Sequence, residues 1–285
     1  MYPEGEAAPA PGGDYGYDEG IKSKLTRNLE GLIPLILIII IAAFLGHRFG
    51  IWTIPFLGGA EPIQMLVVGQ PSIEMIQMLE QDKDLVYYRV RDADSLNVAP
   101  EEQLAQYDVI LLDQHTASTA YAHGVSAQAG SAIENFVRTG GKLITVMDSG
   151  IYSTGGTGGI ASDVIGWTAS FGDIVPVECV RNMKDVPSCT KPIHMVGRIF
   201  REDFDNEIMR GIEVAPADPR YPPIDLLTFD VKPTGNQVAY IKNARAPSYY
   251  PGIVEKRLIV GKSIYFNYDP AFTPGIWQNT LEYLR

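Results

Sequence analysis

The segment IENFVRTGGKLITVMDSG, residues 133–150, indicates the fold of this chain. Its glycine pair, Gly140 and Gly141, ends a helix predicted over Ser126–Arg138. The apolar run Lys142–Met147 that follows has the length of a buried strand. A helix that passes through a glycine turn into such a strand is typical of an α/β sheet with parallel strands.

The alternation of strand and helix continues on both sides of this segment. Ser72 is a suitable N-cap for a helix over Ile73–Gln81, and Pro100 begins another short helix. After Ser149 the pattern loosens and predicts a helix over Ile160–Ser170 and several short strands. This order predicts an α/β fold over residues 62–285: a doubly wound, mainly parallel sheet with helices on both faces. Its parallel strands are predicted at Ile63–Val68, Leu85–Val90, Asp108–Leu112, Lys142–Met147 and Ser263–Tyr268.

The run Leu32–Leu45 is almost purely hydrocarbon and lies ahead of this domain. Extended to residues 29–54 it is long enough to cross a bilayer, with Arg48 snorkelling to the interface. We therefore expect a single transmembrane helix there, preceded by a disordered acidic, Pro/Gly-rich tail over residues 1–28. A cleavable signal peptide and a buried helix of a soluble domain are the alternatives. No A-x-A-like cleavage site follows, and isoleucine on every face leaves no polar side for water.

Basic residues indicate the orientation of this span. Lys22, Lys24 and Arg27 precede it, whereas Arg48 is followed by no Lys or Arg until Lys83. The positive-inside rule then predicts a cytoplasmic N-terminus and an extracytoplasmic large domain in the cell membrane.

Two cysteines, Cys179 and Cys189, flank a polar loop-like segment. In an oxidising compartment the natural interpretation is a short-loop disulfide, and in the cytosol they would be two free thiols. The chain has no C-x-x-C or Cys/His cluster, so we expect neither a metal site nor a cofactor. A net charge of −11 argues against a nucleic-acid partner.

The residues expected to carry chemistry follow the carboxyl ends of three strands, where open α/β sheets bind ligands. The segments are LLDQH at 111–115, VMDSG at 146–150 and FNYDP at 266–270. The candidate ligand-binding residues in them are Asp113, Gln114, Asp148, Ser149, Asn267 and Asp269.

Together, YDVILLDQH (107–115), IENFVRTGGKLITVMDSG (133–150) and GKSIYFNYDP (261–270) resemble the class I glutamine amidotransferase-like family, in its divergent, non-catalytic branch. The resemblance places Asp148 where catalytic members carry a cysteine nucleophile. It places Asn267 where they carry the histidine base, and residues 113–115 at the oxyanion loop. Covalent catalysis needs a nucleophile with a base in reach, so the resemblance implies a catalytically inactive domain.

Other interpretations of the same residues stay open. Ser149, His115 and Asp148 could form a Ser-His-Asp set, although a serine-hydrolase elbow requires glycine at positions 147 and 151, which are Met and Ile. Asp113, Asp148 and Asp269 could hold a cation or act as acid and base, or could simply cap helices and turns.

These observations predict a membrane-anchored, inactive amidotransferase-like domain. We expect it to act as a binding or scaffolding subunit of a membrane or cell-envelope assembly. Its predicted partners are the membrane and other protein subunits or a second copy of the chain. The alternative is a hydrolase or cation-dependent enzyme that uses Asp113, His115, Asp148 and Ser149.

Overall fold

The computed structural model describes residue 34 and residues 36–43, 61–118, 123–154, 161–180 and 188–285. The predicted tail, residues 1–28, lies outside the described residues, as does most of the predicted span 29–54. Residues 36–43 are helical. Among the described segments no helix is both long and apolar enough to cross a membrane. The chain divides into two compact units, Met1–Leu57 and Gly58–Arg285.

The second unit contains a ten-stranded mixed sheet, and two smaller sheets lie beside it. Its strands are β1 Ile63–Gly69, β2 Val86–Arg91, β3 Val109–Asp113, β4 Gly124–Ser126, β5 Lys142–Val146, β6 Tyr152–Thr154, β7 Ala161–Ile165, β8 Val177–Cys179, β9 Ile193–Arg201, β10 Val214–Ala215, β11 Ile224–Thr228, β12 Val231–Pro233, β13 Asn236–Asn243, β14 Tyr249–Arg257 and β15 Lys262–Phe266. Its helices are α1 Ile73–Gln81, α2 Pro100–Leu104, α3 Ala127–Arg138, α4 Trp167–Phe171 and α5 Pro274–Leu284.

Five strands form the parallel half of the large sheet, in the order β2-β1-β3-β5-β15. This is the order of flavodoxin-like doubly wound folds. The predicted α/β class with a parallel sheet is thereby confirmed. From β15 the sheet continues with antiparallel strands, β14, β13 and β9, and both β10 and β11 pair with the far edge of β9. The sequence indicated these strands only as a series of short ones.

Two hydrogen bonds from β2 show how the helices are distributed. Tyr88 Oη donates to Glu80 Oε1 on α1 across 2.6 Å, whereas the Arg91 guanidinium donates to Gln103 on α2. Residues 88 and 91 point to opposite faces of a strand, so α1 and α2 lie on opposite sides of the sheet. Right-handed crossovers require the same arrangement, because β1 to β2 and β2 to β3 run in opposite directions.

Burial on both faces explains the composition of the central strands. Every residue of β3 is buried, and β1 exposes only Gln64. Strands covered by helices on both sides must be apolar throughout, and their residues form one continuous core with the helices. The helix N-cap expected at Ser72 is also present, because its hydroxyl accepts from Met75 N across 3.0 Å.

The helix predicted over Ile160–Ser170 is wrong in its first half. Ala161–Ile165 is strand β7, which pairs antiparallel with β6, and Gly166 has φ +130° between that strand and α4. A residue in that conformation interrupts any helix, so α4 begins only at Trp167.

The predicted disulfide is confirmed: Cys179 at the end of β8 is bonded to Cys189, with 5.3 Å between their Cα atoms.

Candidate functional site

The candidate site lies at the carboxyl ends of β1, β3, β5 and β15. In this strand order the chain reverses its direction of winding between β1 and β3, and ligand sites of doubly wound sheets occur at that point. The two strands approach each other closely at Gly69, whose φ is +114°. A Cβ at this position would lie 2.5 Å from the carbonyl oxygen of Asp113, so only glycine fits.

His115 connects the ends of β3 and β15. Its Nδ1 lies 2.5 Å from Asp113 Oδ1, and its Nε2 lies 3.4 Å from Asp269 Oδ2. Asp113 is fully buried, and the side chains of His115 and Asp269 are 10% and 8% exposed. Asp269 also accepts from Ala271 N across 2.9 Å and so caps the short 3-10 turn Pro270–Phe272. The expected capping role therefore holds for Asp269 in addition to its ionic contact.

The two carboxylates keep the imidazole charged. Burial by itself lowers the pKa of His115, but its hydrogen bonds to Asp113 and Asp269 outweigh burial and raise this pKa to about 10. Burial raises the pKa of Asp113 despite the opposing contact with His115. For Asp269, burial acts upward, but the hydrogen bond from His115 leaves the pKa below its ordinary value. The trio is thus an imidazolium held between two carboxyl groups.

A second histidine and aspartate lie beside this trio. His123 Nδ1 is 2.9 Å from Asp148 Oδ2, and His123 Nε2 is 3.0 Å from the carbonyl oxygen of Ala117. Burial lowers the pKa of His123, yet Asp148 outweighs it and the net shift is upward. The charge on His115 acts on the pKa of His123 in the opposite direction and lowers it, as the smallest of these effects.

The turn after β5 is sharp and contains a residue with a strained backbone. Met147, directly after the strand, has φ +53° and is buried, while Asp148 follows it. A left-handed conformation is unfavourable for a residue with a Cβ, so its position marks the apex of the turn. The strained residue of this turn is thus Met147, one position before Asp148, which the resemblance places at the nucleophile position.

Ser149 and Gln114 tie this elbow to the end of β3. The Ser149 hydroxyl accepts from Gln114 N across 2.7 Å, and Gln114 Oε1 accepts from Gly150 N across 2.8 Å. Both residues are buried. No hydrogen bond between Ser149 and a histidine occurs within the described ranges, so the Ser-His-Asp set is not assembled.

Asn267 is fully occupied by structural hydrogen bonds. Its amide nitrogen donates to the carbonyls of Phe229 and Pro251, each across 2.8 Å. Its amide oxygen accepts from Phe229 N and from the Tyr265 hydroxyl, across 3.0 and 3.1 Å. The residue is buried, and an amide with two donors and one oxygen has no further capacity for a ligand here. These bonds tie the residue after β15 to β14 and to the segment between β11 and β12.

The predicted residues therefore separate into two groups. Asp113, His115, Asp148 and Asp269 converge at one end of the sheet, whereas Gln114, Ser149 and Asn267 hold that end together. Sequence analysis did not identify His123, because it lies on a different segment from Asp148 and at no recognisable spacing from it. Within the part of the chain that the structure covers, no group of three or more His, Cys, Asp or Glu side chains has the geometry to hold a metal ion.

Comparisons with known proteins show similarity of fold. A search of the solved structures matches the β-galactosidase of Bacillus circulans sp. alkalophilus at 14% identity, over 80% of this chain and 32% of that one, with a TM-score of 0.50. It also matches a β-galactosidase from the haloarchaeon Halorubrum lacusprofundi at 10% identity, over 80% and 31%, with a TM-score of 0.45. This chain spans about a third of the length of these enzymes.

A third structure, described as a GMP synthase component from Thermoplasma acidophilum, matches over 79% of this chain and 96% of that chain, at 8% identity and a TM-score of 0.43. No protein-family model matches the chain, and a search of curated proteins finds no match. The domain is defined by its fold: an α/β domain whose central sheet is mixed, with five strands in a parallel half.

Proposed function

We propose that this chain is a membrane-anchored, catalytically inactive amidotransferase-like protein that acts as a binding or scaffolding subunit of a membrane or cell-envelope assembly. The observation that carries the proposal is the elbow after β5. Met147 occupies its apex at φ +53° and is buried, where a nucleophilic enzyme of this architecture would present a reactive oxygen or sulfur.

The state of the nearby histidine supports the same proposal. A general base must be unprotonated at the working pH and must reach the proton that it removes. His115 has a pKa of about 10 and donates to two carboxyl groups, so near neutral pH it is a structural cation. The amide of Asn267, at the position where the family carries its base, has neither a titratable group nor a free hydrogen-bonding atom.

The anchor and its orientation are the second part of the proposal. The hydrocarbon run Leu32–Leu45 supports a single-pass location, and the basic residues ahead of it support a cytoplasmic N-terminus. The Cys179–Cys189 disulfide is consistent with an extracytoplasmic domain, because disulfides persist in oxidising compartments. The partners are then the membrane and other subunits of the assembly.

The catalytic part of the proposal is tested with the purified full-length chain on panels of amide and ester substrates. We expect no turnover above that of a preparation carrying Met147→Ala. Hydrolysis that disappears in Ser149→Ala or Asp148→Asn, while both variants remain folded, would overturn the proposal.

The location is tested by extracting membranes with alkaline carbonate and treating intact cells with protease. The chain should remain in the membrane pellet, and the domain that contains Cys179 should be degraded from outside. Release into the supernatant, or full protection in intact cells, would contradict the anchor or its orientation.

The second candidate function is a hydrolase or cation-dependent enzyme. The convergence of His115 with Asp113 and of His123 with Asp148 at one end of the sheet favours it, because paired histidine and carboxylate groups suit acid-base chemistry. Activity that requires both His123 and Asp148 and that increases with an added divalent cation would support this candidate over the first.

A further inference from the structure

We propose that the free edge of β2 binds an extended, acidic segment of a partner protein as an added β-strand. This inference rests on the proposed binding role and names the surface that would perform it. The strand, VYYRVR at 86–91, ends the large sheet at its parallel side. Among the described residues no strand pairs with its outer edge.

Outward-facing backbone groups of β2 have no partner among the residues that the structure describes. Ile63 N donates to Leu85 O across 2.9 Å, so Leu85 and the odd-numbered residues after it face β1. Alternate residues of a strand direct their N–H and C=O groups to opposite neighbours. The N–H and C=O groups of Tyr88 and Val90 therefore point outward, whereas the outward N–H of Val86 is already bonded to Asp82 O across 2.9 Å. An incoming strand could pair with these groups without disturbing β1.

A cavity opens beside the same edge. It has a volume of about 450 Å³ and is lined by Glu80, Lys83, Val86, Tyr87 and Tyr88. Because Tyr87 and Tyr88 point to opposite faces of β2, a cavity that touches both opens at the edge of the sheet. Glu80 is paired with Lys83 and with the Tyr88 hydroxyl, so the charged groups of the cavity already have partners. The valine and the tyrosine rings leave room for an apolar side chain of the added strand.

Charge determines the chemistry of the partner. The β2 strand contains Arg89 and Arg91 and no acidic residue, in a chain whose net charge is −11. Arg91 is engaged with Gln103, while Arg89 is exposed beside Tyr87. A strand with a carboxylate opposite Arg89 would gain a favourable cross-strand pair. A second copy of β2 contains no carboxylate to place opposite Arg89, which favours a foreign acidic strand over self-association.

These features can be tested with two labelled hexapeptides that alternate valine with glutamate or valine with lysine. Binding to the full-length chain in mild detergent is measured by fluorescence anisotropy. We expect the glutamate peptide to bind at least about tenfold more tightly than the lysine peptide. Arg89→Glu should reverse this preference. Lys242→Glu makes the same charge change on β13, in the antiparallel half of the sheet, and should leave it unchanged.

Proline at position 90 tests the backbone pairing. Val90→Pro removes one outward N–H, which an edge strand tolerates, and should weaken binding about tenfold. Val90→Thr keeps the N–H and should bind like the parent chain. Equal binding of both peptides, or full binding by a folded Val90→Pro variant, would overturn the inference.

A concentration-dependent dimer abolished by Val90→Pro would also overturn the inference, because the occupant would then be a second copy. Peptide binding is independent of the hydrolysis and membrane-extraction assays. Its failure would therefore leave the proposed inactive, anchored subunit standing with a different binding surface.

Discussion

His115 Nδ1 lies 2.5 Å from Asp113 Oδ1, and this buried contact joins the last residue of β3 to the loop that follows it. The opposite side of the imidazole faces Asp269 after β15, so one cation holds two strand ends together. Asp113 Oδ2 is buried and accepts no hydrogen bond from any described residue. The carboxyl group therefore depends on His115 for its compensation.

The first prediction concerns the pH dependence of stability. The pKa of His115 is raised from 6.5 to about 10 in the folded chain. Its contribution to the free energy of unfolding is therefore complete below about pH 6.5 and is lost as the pH rises toward 10. His115→Gln should cost about 3–5 kcal/mol near neutral pH, because the buried carboxyl groups lose their counterion. It should also flatten the alkaline part of the stability curve.

Urea unfolding between pH 6 and pH 10 measures both effects on the free energy of unfolding. His194→Gln replaces an exposed histidine on β9 and should reproduce the parent curve. If the His115→Gln curve ran parallel to the parent curve, the raised pKa would be contradicted.

The second prediction concerns the Ser149 hydroxyl, which accepts from the buried backbone N–H of Gln114. Ser149→Ala leaves that donor unsatisfied and should cost about 1–3 kcal/mol of stability in chemical denaturation. Ser170→Ala is the matched control. That buried hydroxyl has no hydrogen-bond partner in the described structure, so its removal should be nearly neutral. Equal losses in the two variants would refute the structural role of Ser149.

The third prediction concerns the close approach of β1 to β3. Gly69→Ala places a Cβ 2.5 Å from the Asp113 carbonyl oxygen at φ +114°, and neither backbone can move freely. We expect a loss above about 2 kcal/mol in thermal or urea unfolding. Gly211→Ala also has a positive φ, +73°, but no atom lies within 4 Å of the added Cβ. Its stability should fall only by the cost of backbone strain, about 1–2 kcal/mol. A smaller loss of stability for Gly69→Ala than for Gly211→Ala would contradict the packing argument.

The fourth prediction concerns the Cys179–Cys189 disulfide. Reduction should lower stability by about 2–3 kcal/mol, because the open loop gives the unfolded chain more freedom. Thermal unfolding with and without reductant measures this change. A Cys179→Ser/Cys189→Ser double variant should match the reduced parent chain and should not respond to reductant. A reductant effect that persists in the double variant would show a cause other than this bond.

The fifth prediction concerns Asn267, which bonds to both backbone groups of Phe229. Asn267→Asp keeps the acceptor but loses the two donors, and it buries a charge. We expect a loss of about 2–4 kcal/mol near neutral pH that becomes smaller as the carboxyl is protonated under acidic conditions. Unfolding curves at pH 4 and pH 7 provide the comparison, and a loss that did not vary with pH would exclude a buried charge as its cause.

Local patterns were sufficient for the parallel half of the fold. The strands around Ile110 and Ile144 are apolar because they are buried, and the glycine pair at 140–141 allows the chain to turn. Both signals can be recognised from consecutive residues. The disulfide was also predictable, because only two cysteines exist and they flank a short segment. The helix predicted over Ile160–Ser170 is wrong in its first half, because Gly166 adopts a positive φ that composition did not indicate.

The sequence by itself thus determined the α/β class, the candidate strand ends and the short-loop disulfide. Only the tertiary structure decided the roles of the residues at those ends. The pairing of His123 with Asp148, and the strained backbone of Met147 in the turn after β5, depend on register and on the path of distant segments. A shift of one residue redirects a side chain, and no local pattern specifies which distant group it then meets.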